Sequence, residues 1–299
     1  MIWSILESFK EAVLERTPLV VRKIDTLLWL ERHGNRLLTR RFASSARTRL
    51  RSALEAKGMF DVSISLDGMR ITGTLEDRHH LAELAQGSME ALTLKLWREH
   101  LAPGANVLDV GAYLGTYSLF AARGVGPTGR VWAVEPNPTS RRVLDQNIAA
   151  NRLANITVIP KAASDHRANA QLHIVRGDRS AASLLFDVGE LEASVAVETV
   201  PLDELLPDDV RVSIAKIDVE GAEPAVLRGM TRILAGIDAI FIESHAECLY
   251  AAGSSPEELQ ALLVDHGFGV SVIKEETWEV VPWRSDLVQE GYRNLLATR

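Results

Sequence analysis

A single cysteine, Cys248, stands in the 299 residues. That excludes an internal disulfide framework and a Cys-based zinc site, and reads most simply as a small buried apolar residue. No apolar stretch approaches the ~20 residues that cross a bilayer. Residues Met1 to Phe9 have no basic stretch ahead of an apolar run and carry Glu7 early, so they do not read as a signal peptide and the expected location is cytoplasmic. An excess of positive charge is also missing: 33 Lys+Arg face 40 Asp+Glu, a net charge of −7, which argues against a general nucleic-acid binder. No H-E-x-x-H or comparable metal-ligand spacing occurs, and neither an internal repeat nor a low-complexity tract is visible. With 24 % charged and 46 % hydrophobic residues, the chain matches globular averages, which excludes disorder, collagen and coiled-coil rods for the whole.

What charge there is lies unevenly. Ten basic residues fall between Arg16 and Arg51, opposed only by Asp25 and Glu31. Leu19, Val20, Ile24, Leu27, Leu28 and Leu30 fall near one helical face, with Thr17 as N-cap and Pro18 in the first turn. The segment reads as a solvated helical cap or as a surface for weak peripheral contact with anionic lipid or a partner. Gly58 closes it. Two alternating runs, Val62–Leu66 and Met69–Thr74, flank Asp67-Gly68 and predict a hairpin. The expected division is a helical region at 1–58, a hairpin and linker at 59–86, and a larger domain at 87–299.

A helix is expected between Gly87 and His100, broken by Pro103-Gly104. From Asn106 onward, short apolar strands alternate with helices. The strands are expected at Val107–Val110, Val131–Val134, Thr157–Ile159, Val212–Ile217 and Ala239–Ile242. Helices are expected at Thr116–Arg123, Thr139–Asn151, Pro224–Leu234 and Pro256–His266. This alternation predicts an α/β fold, doubly wound, with a mostly parallel sheet covered on both faces. Gln171–Val200 is too long for a simple crossover and predicts an added strand pair. Phe268–Ile273 and Trp278–Val281 predict a terminal hairpin at one sheet edge.

The chemistry concentrates at strand ends. In Val107-Leu-Asp-Val-Gly-Ala-Tyr-Leu-Gly115 a strand ends at Gly111 and a helix starts near Thr116, so glycine would allow a ligand close to the backbone beside unpaired helix N–H groups. Tyr113 occupies the place of the second glycine of G-x-G-x-x-G, so a pyrophosphate fits poorly and a smaller ligand headed by an amino acid fits better. Glu135, 24 residues beyond Gly111 at the next strand tip, can accept both hydrogen bonds of a ribose diol. Asp165, after the third strand, is placed to meet an adenine amino group; read alone it is an ordinary turn acid. In Asp218-Val-Glu-Gly-Ala-Glu223 three carboxylates follow an apolar strand. Asp218 is assigned to the site, whereas Glu220 and Glu223 can instead favour the next helix N-terminus, the reading ranked first for Glu223. His245, beside Glu243, lies on the same rim, while His79, His80 and His100 read as surface or packing residues.

These segments resemble the FkbM-type S-adenosylmethionine-dependent methyltransferases, a class I Rossmann-like family. The resemblance is carried by Leu108-Asp-Val-Gly-Ala-Tyr-Leu-Gly-Thr-Tyr-Ser118, Val134-Glu-Pro-Asn-Pro138, Asn147–Asn155, Leu202-Asp-Glu-Leu-Leu206, Ala215-Lys-Ile-Asp-Val-Glu-Gly-Ala-Glu223 and Ile242-Glu-Ser-His245. It extends from about Gly87 to Gly269. It implies a seven-stranded sheet and S-adenosyl-L-methionine as cofactor. Asp109 and Gly111 would then shape the pocket for the methionine portion, Glu135 would hold the ribose and Asp165 would lie near adenine. Tyr113, Gly115 and Asn137 complete the cofactor-binding set; the family usually has Asn at the place of Tyr113. The implied reaction is O-methylation of a small molecule, sugar or glycan-linked hydroxyl. From their strand-end positions Asp218 and His245 are the expected catalytic pair, with His245 as proton acceptor and Asp218 orienting it. Asp218, Glu243 and His245 would suit a divalent cation such as Mg²⁺, which is left open rather than expected. Self-association is likewise open. The alternatives are a non-catalytic cofactor-binding scaffold and an NAD-dependent oxidoreductase, the latter disfavoured by Tyr113.

Overall fold

The computed structural model describes residues 62–74, 76–175, 178–184 and 191–299. The basic segment Arg16–Arg51, its expected helix and the Gly58 boundary lie outside the described residues. The chain divides into two compact units, residues 1–63 with 73–78 and residues 64–72 with 79–299. In the described part of the first, the Asp77 carboxylate accepts from the Thr74 N–H and hydroxyl and closes a turn. The elements below belong to the second unit or run into it.

The expected hairpin is present as β1 (Val62–Leu66) and β2 (Met69–Gly73), with Asp67 and Gly68 both at positive φ. Residues assigned to a linker instead form helix α1 (Arg78–Gln86), which buries Leu81 and Leu84. Helix α2 (Ala91–His100) starts at Glu90 in a left-handed conformation. A distant carboxylate caps it: Glu275 accepts from the N–H groups of Leu92 and Thr93, both at 2.8 Å, and so satisfies donors that a helix start leaves unpaired.

The main sheet contains β3 (Asn106–Val110), β4 (Arg130–Val134), β5 (Ile156–Ile159), β10 (Ile214–Ile217), β11 (Ala239–His245), β12 (Gly269–Lys274), β13 (Glu279–Pro282) and β14 (Tyr292–Thr298), with β6 to β9 forming a sheet of their own described below. Its order is β13-β12-β14-β11-β10-β3-β4-β5. From β11 to β5 every pairing is parallel, and β14 enters antiparallel between β11 and β12. The sheet is thus the Rossmann-like seven strands with β13 added as the outer strand of the expected terminal hairpin. β14 is the strand that the pattern did not single out.

Helices α3 (Thr116–Val125) and α4 (Pro138–Ala150) make the first two crossovers. Pro138 sits in the first turn of α4 and Asn137 caps it, its side chain accepting from the Thr139 N–H at 3.0 Å. β10 is buried at every position and β3 and β4 at all but their first, as covering on both faces requires. Leu108, Val110, Ile217, Ile240, Ile242 and Leu295 anchor that core.

Between β5 and β10 the chain forms a separate four-stranded sheet, β6 (Ala162–Ala163), β7 (Ala168–Val175), β8 (Asp178–Ser183) and β9 (Leu191–Val200), in the order β6-β9-β7-β8. It is larger than the added strand pair expected there. After α5 (Leu202–Leu205) and β10, the single helix expected at Pro224–Leu234 is two, α6 (Glu223–Arg228) and α7 (Thr231–Leu234). They part at Gly229, where an added Cβ would lie 1.9 Å from the Ser164 carbonyl oxygen. Helices α8 (Ala246–Ala251) and α9 (Pro256–Asp265) complete the unit. Among the described residues no helix is long and apolar enough to cross a membrane.

Candidate functional site

Parallel pairing brings the carboxyl ends of β3, β4, β10 and β11 to one rim of the sheet, the usual ligand face of such folds. At the end of β3 the chain turns at Gly111, φ +84°, where a Cβ would lie 1.8 Å from the Asp218 carbonyl oxygen. The glycine is therefore required by the protein's own backbone leaving β10, rather than by the approach of a ligand. Gly115, φ +91°, begins α3, and its missing Cβ leaves space for Leu144 of α4. Tyr113 holds a left-handed conformation at φ +49°, which costs a non-glycine residue about 1 kcal/mol. Its N–H donates to Glu135 at 2.8 Å, and its ring meets His80 edge-on.

Glu135 emerges from β4 nearly enclosed. Besides Tyr113, the Asn137 N–H donates to its other oxygen at 2.7 Å. Burial pushes the carboxyl up to about 7 against the opposing pull of these two amides. Each carboxylate oxygen keeps acceptor capacity beyond one amide. Glu135, Gly111 and Tyr113 line a small cavity of about 60 Å³ under Leu172, Ala182 and Leu184 of the second sheet.

A larger cavity of about 310 Å³ shares Gly111, Tyr113, Asp218 and Glu220 with it. Its floor is ionic. Register places Lys216 between Asp109 of β3 and Phe241 of β11. The lysine is 1 % exposed, its Nζ lies 2.9 Å from Asp218 Oδ2, and it sits over the Tyr117 ring. Burial opposes its charge, but Asp218, Glu90 and Glu243 outweigh that and keep it protonated. Burial also works to raise Asp218, yet Lys216 and a hydrogen bond with Glu243 hold it below the ordinary carboxylate range. Glu243 goes the other way: burial and the charge of Asp218 push it far up, so the two carboxyls share one proton. Asp109 accepts from the Ser118 hydroxyl, and burial carries it to about 6. Glu90 accepts from the Tyr117 hydroxyl at 3.2 Å and from Asn294 at 2.7 Å.

On the far wall stands His245, the last residue of β11. Its Nδ1 lies 3.3 Å from Glu220 Oε2 and 3.1 Å from Cys248 Sγ, and its Nε2 lies 3.5 Å from Glu247. The hydrogen bond to Glu220 raises its affinity for a proton, with burial opposing. The groups that hold Asp218 are Lys216 and Glu243, and those that hold His245 are Glu220, Glu247 and Cys248.

Of the site residues read from sequence, Asp109, Gly111, Tyr113, Asp218, Glu243 and His245 line the larger cavity, and Glu135 the smaller. Asn137 and Gly115 line neither: one caps α4 and orients Glu135, and the other seats α3 against α4. Asp165 also lines neither. It pairs with Arg228 at 3.2 Å and with His166 at 2.6 Å, contacts that keep its carboxyl low. The sequence pattern does not single out Glu90, Tyr117, Lys216 or Tyr292, weighs Glu220 as an acid at a helix N-terminus, takes Cys248 for packing and His80 for surface or packing; all line the larger cavity. A lysine inside an otherwise apolar strand was the one available signal.

A family model described as "Methyltransferase FkbM domain" matches residues 109–270. The AMB antimetabolite synthetase AmbE of Pseudomonas aeruginosa is 30 % identical over 237 residues, covering 67 % of this chain and 11 % of that protein. The hexuronic acid methyltransferase AglP of Haloferax volcanii is 28 % identical over 168 residues, covering 56 % of this chain and 64 % of that protein. The chain thus spans less than two thirds of either relative. Among solved structures, the precorrin-6y C5,15-methyltransferase of Geobacter metallireducens superposes with a TM-score of 0.39 at 18 % identity, covering 71 % of this chain and 88 % of that one.

Proposed function

Because the chain belongs to the FkbM methyltransferase domain family, whose model spans more than half of it, we propose that it binds S-adenosyl-L-methionine and methylates a hydroxyl of a small molecule, sugar or glycan-linked acceptor. The carrying observation is the cavity at the sheet rim, where Lys216 and the proton on Glu243 offset Asp218 and leave Asp109 and Glu220 as the acids facing a ligand. Such a wall suits a cationic ligand. Two further features fit that cofactor. Glu135 offers a carboxylate to a ribose diol. Thr116, at the start of α3, lines the larger cavity and is 8 % exposed, with no hydrogen-bond partner for its hydroxyl. A buried hydroxyl left without a partner among the described residues suits a ligand that supplies one.

Glu135 would hold the ribose, while Asp109 and Thr116 would face the methionine portion beside Gly111 and Tyr113. The cofactor, when bound, supplies a methyl group on a sulfonium, whose bonding pair remains on sulfur. The chain's own part is alignment and proton removal. Alignment of reactants is worth roughly 7–11 kcal/mol, and a positioned base adds about 10²–10⁴-fold. Asp218, held ionised by Lys216 Nζ, accepts the acceptor hydroxyl's proton as that oxygen is alkylated; it takes the role expected of His245, because the imidazole is engaged by Glu220, Glu247 and Cys248 rather than by Asp218. Glu243 fixes the Asp218 carboxylate, and His245 forms the wall beside it.

The printed name of AglP, a hexuronic acid methyltransferase, favours a saccharide among the acceptors. Free and glycan-linked sugars, uronic acids included, are incubated with methyl-labelled cofactor and the products read by mass spectrometry. An ether methyl on a sugar hydroxyl, lost in Asp218→Asn with S-adenosylhomocysteine affinity retained, is expected. A product methylated on nitrogen or carbon, or unchanged kcat in Asp218→Asn, would overturn the assignment.

A further inference from the structure

We propose that Glu220, His245 and Cys248 form a binding site for a borderline-soft divalent metal ion, Zn²⁺ being the natural occupant; this corrects the expectation drawn from the single cysteine, which excludes only sites built on several thiolates, whereas here one thiol joins a histidine and a carboxylate. Three donor atoms from three side chains, Oε2, Nδ1 and Sγ, stand at the corners of a small triangle. Its edges are 3.3 Å from oxygen to nitrogen, 3.4 Å from sulfur to oxygen and 3.1 Å from sulfur to nitrogen. Tetrahedral Zn²⁺ takes bonds of about 2.3 Å to sulfur and about 2.0–2.2 Å to nitrogen and oxygen, which spaces its ligands about 3.3–3.7 Å apart. The oxygen–nitrogen edge matches one edge of that tetrahedron, and the two sulfur edges, ideally about 3.5–3.7 Å, are shorter by about 0.1–0.5 Å.

The thiol and the imidazole Nδ1 carry at most one proton each, so two protons serve three close edges, and sulfur is only a weak acceptor for Nδ1–H once its own proton goes to Glu220. A cation would instead draw one lone pair from each of the three atoms.

The fold holds the three atoms in place. His245 and Cys248 are three residues apart across the start of α8, and so share one side of the chain. Glu220 comes from the β10–α6 turn, in a left-handed conformation at φ +52°. The next residue, Gly221, is pressed so closely on α8 that a Cβ would lie 2.7 Å from the Cys248 carbonyl oxygen. Ser183 donates to the Glu220 carbonyl at 3.0 Å. Beyond the triangle, His245 Nε2 lies 3.5 Å from Glu247, the carboxylate partner that metal-bound histidines commonly have on their other nitrogen. All three ligands line the 310 Å³ cavity, which leaves room for an exchangeable fourth ligand. The neighbouring set Asp218, Glu220 and Glu243 is a different case. Its atoms also lie within 4.8 Å of one another, but Lys216 and a shared proton already offset its charge, so a hard cation such as Mg²⁺ is not assigned there.

The site shares Glu220, His245 and the larger cavity with the methyl-transfer reading, but its test reads metal rather than activity, so either can fail without the other. Full-length protein without a histidine tag is stripped with a chelator, then titrated with Zn²⁺, Co²⁺ or Mg²⁺. The expected result is one Zn²⁺ per chain and a Co²⁺ complex with thiolate-to-metal charge-transfer absorption that disappears in Cys248→Ser. Zn²⁺ affinity falls at least 100-fold in Cys248→Ser and His245→Ala, and about tenfold in Glu247→Gln, which reaches the imidazole only at its outer nitrogen and otherwise accepts from the Gly291 N–H. Circular dichroism identifies any variant that fails to fold, and the spectrum of the unaltered protein then decides alone. A parent protein that binds no Zn²⁺, a Co²⁺ spectrum lacking the thiolate band, binding of Mg²⁺ alone, or folded variants with unchanged affinity would each overturn the site.

Discussion

Replacing Glu135 with glutamine separates two roles that one carboxylate combines. In the folded chain burial carries Glu135 from 4.5 to about 7, and at about 1.4 kcal/mol per pH unit the ionised form is disfavoured by about 3 kcal/mol. Its folded value lies above its unfolded one, so its contribution to stability is complete below about pH 4.5. It is lost as the pH rises through about 7. Cofactor binding runs the opposite way, because a ribose diol requires acceptors and a protonated carboxyl has turned one oxygen into a donor. Affinity for S-adenosylhomocysteine should then rise with pH, by about tenfold per unit below the carboxyl's midpoint, and level off above it. Glutamine cannot ionise, and its NH₂ must face either the Tyr113 or the Asn137 N–H, both of which now donate to carboxylate oxygens. At pH 8, Glu135→Gln should weaken binding by about 1.5–3 kcal/mol, the worth of a charged hydrogen-bond acceptor. The pH dependence of affinity should flatten, leaving only what Asp109, at about 6, contributes. Titration calorimetry from pH 5.5 to 8, paired with denaturant unfolding over the same range, measures both. A wild-type affinity that is flat with pH, or a variant with the same profile and affinity, would refute the reasoning.

Thr116→Val removes a buried hydroxyl that has no partner among the described residues, so unfolding stability should change by less than about 0.5 kcal/mol. S-adenosylhomocysteine affinity should still drop several-fold; a loss of stability without a loss of affinity would show the hydroxyl to be structural. Lys216→Met breaks a pair whose lysine is fully enclosed and should cost about 3 kcal/mol in urea unfolding, and a cost under about 1 kcal/mol would mean that Asp218 and Glu243 need no counter-charge. Gly111→Ala forces a methyl to within 1.8 Å of the Asp218 carbonyl at a positive φ, so both the β3 turn and Asp218 must shift. Melting temperature and cofactor affinity should fall together, and a variant that keeps both would contradict the close approach.

Much of the rim was legible because strand tips are local events. A run such as Val107–Val110 ending in Gly111, or Val131–Val134 ending in Glu135, announces both a buried strand and the residue that leaves it. Parallel sheets place those residues on one edge, so Gly111, Glu135, Asp218 and His245 could be named from their positions, whereas Asp109, inside β3, came only from the family resemblance. Asp165 shows where that logic fails. It follows a strand as the others do, yet Arg228, 63 residues away, pairs with it at the surface.

The chain's own pattern determined the strand–helix alternation of the parallel half of the sheet, though not β14 or the four-stranded sheet, and which acids and histidine stand at the sheet's end, because hydrophobic period and turn residues act over a few neighbours. Tertiary structure alone decided who meets whom. Lys216 acquires its role from register, which sets it beside Asp109 and two residues before Asp218 in a place water does not reach. Glu90 is drawn to the cavity floor because Glu275, nearly two hundred residues on, caps the helix that Glu90 begins. Cys248 reads as packing in a linear sequence and becomes a donor atom only where the β10 turn, bent at Glu220 and Gly221, presses against α8. These are contacts between segments distant in sequence, and their energies come from burial and charge compensation that exist only once the sheet has closed.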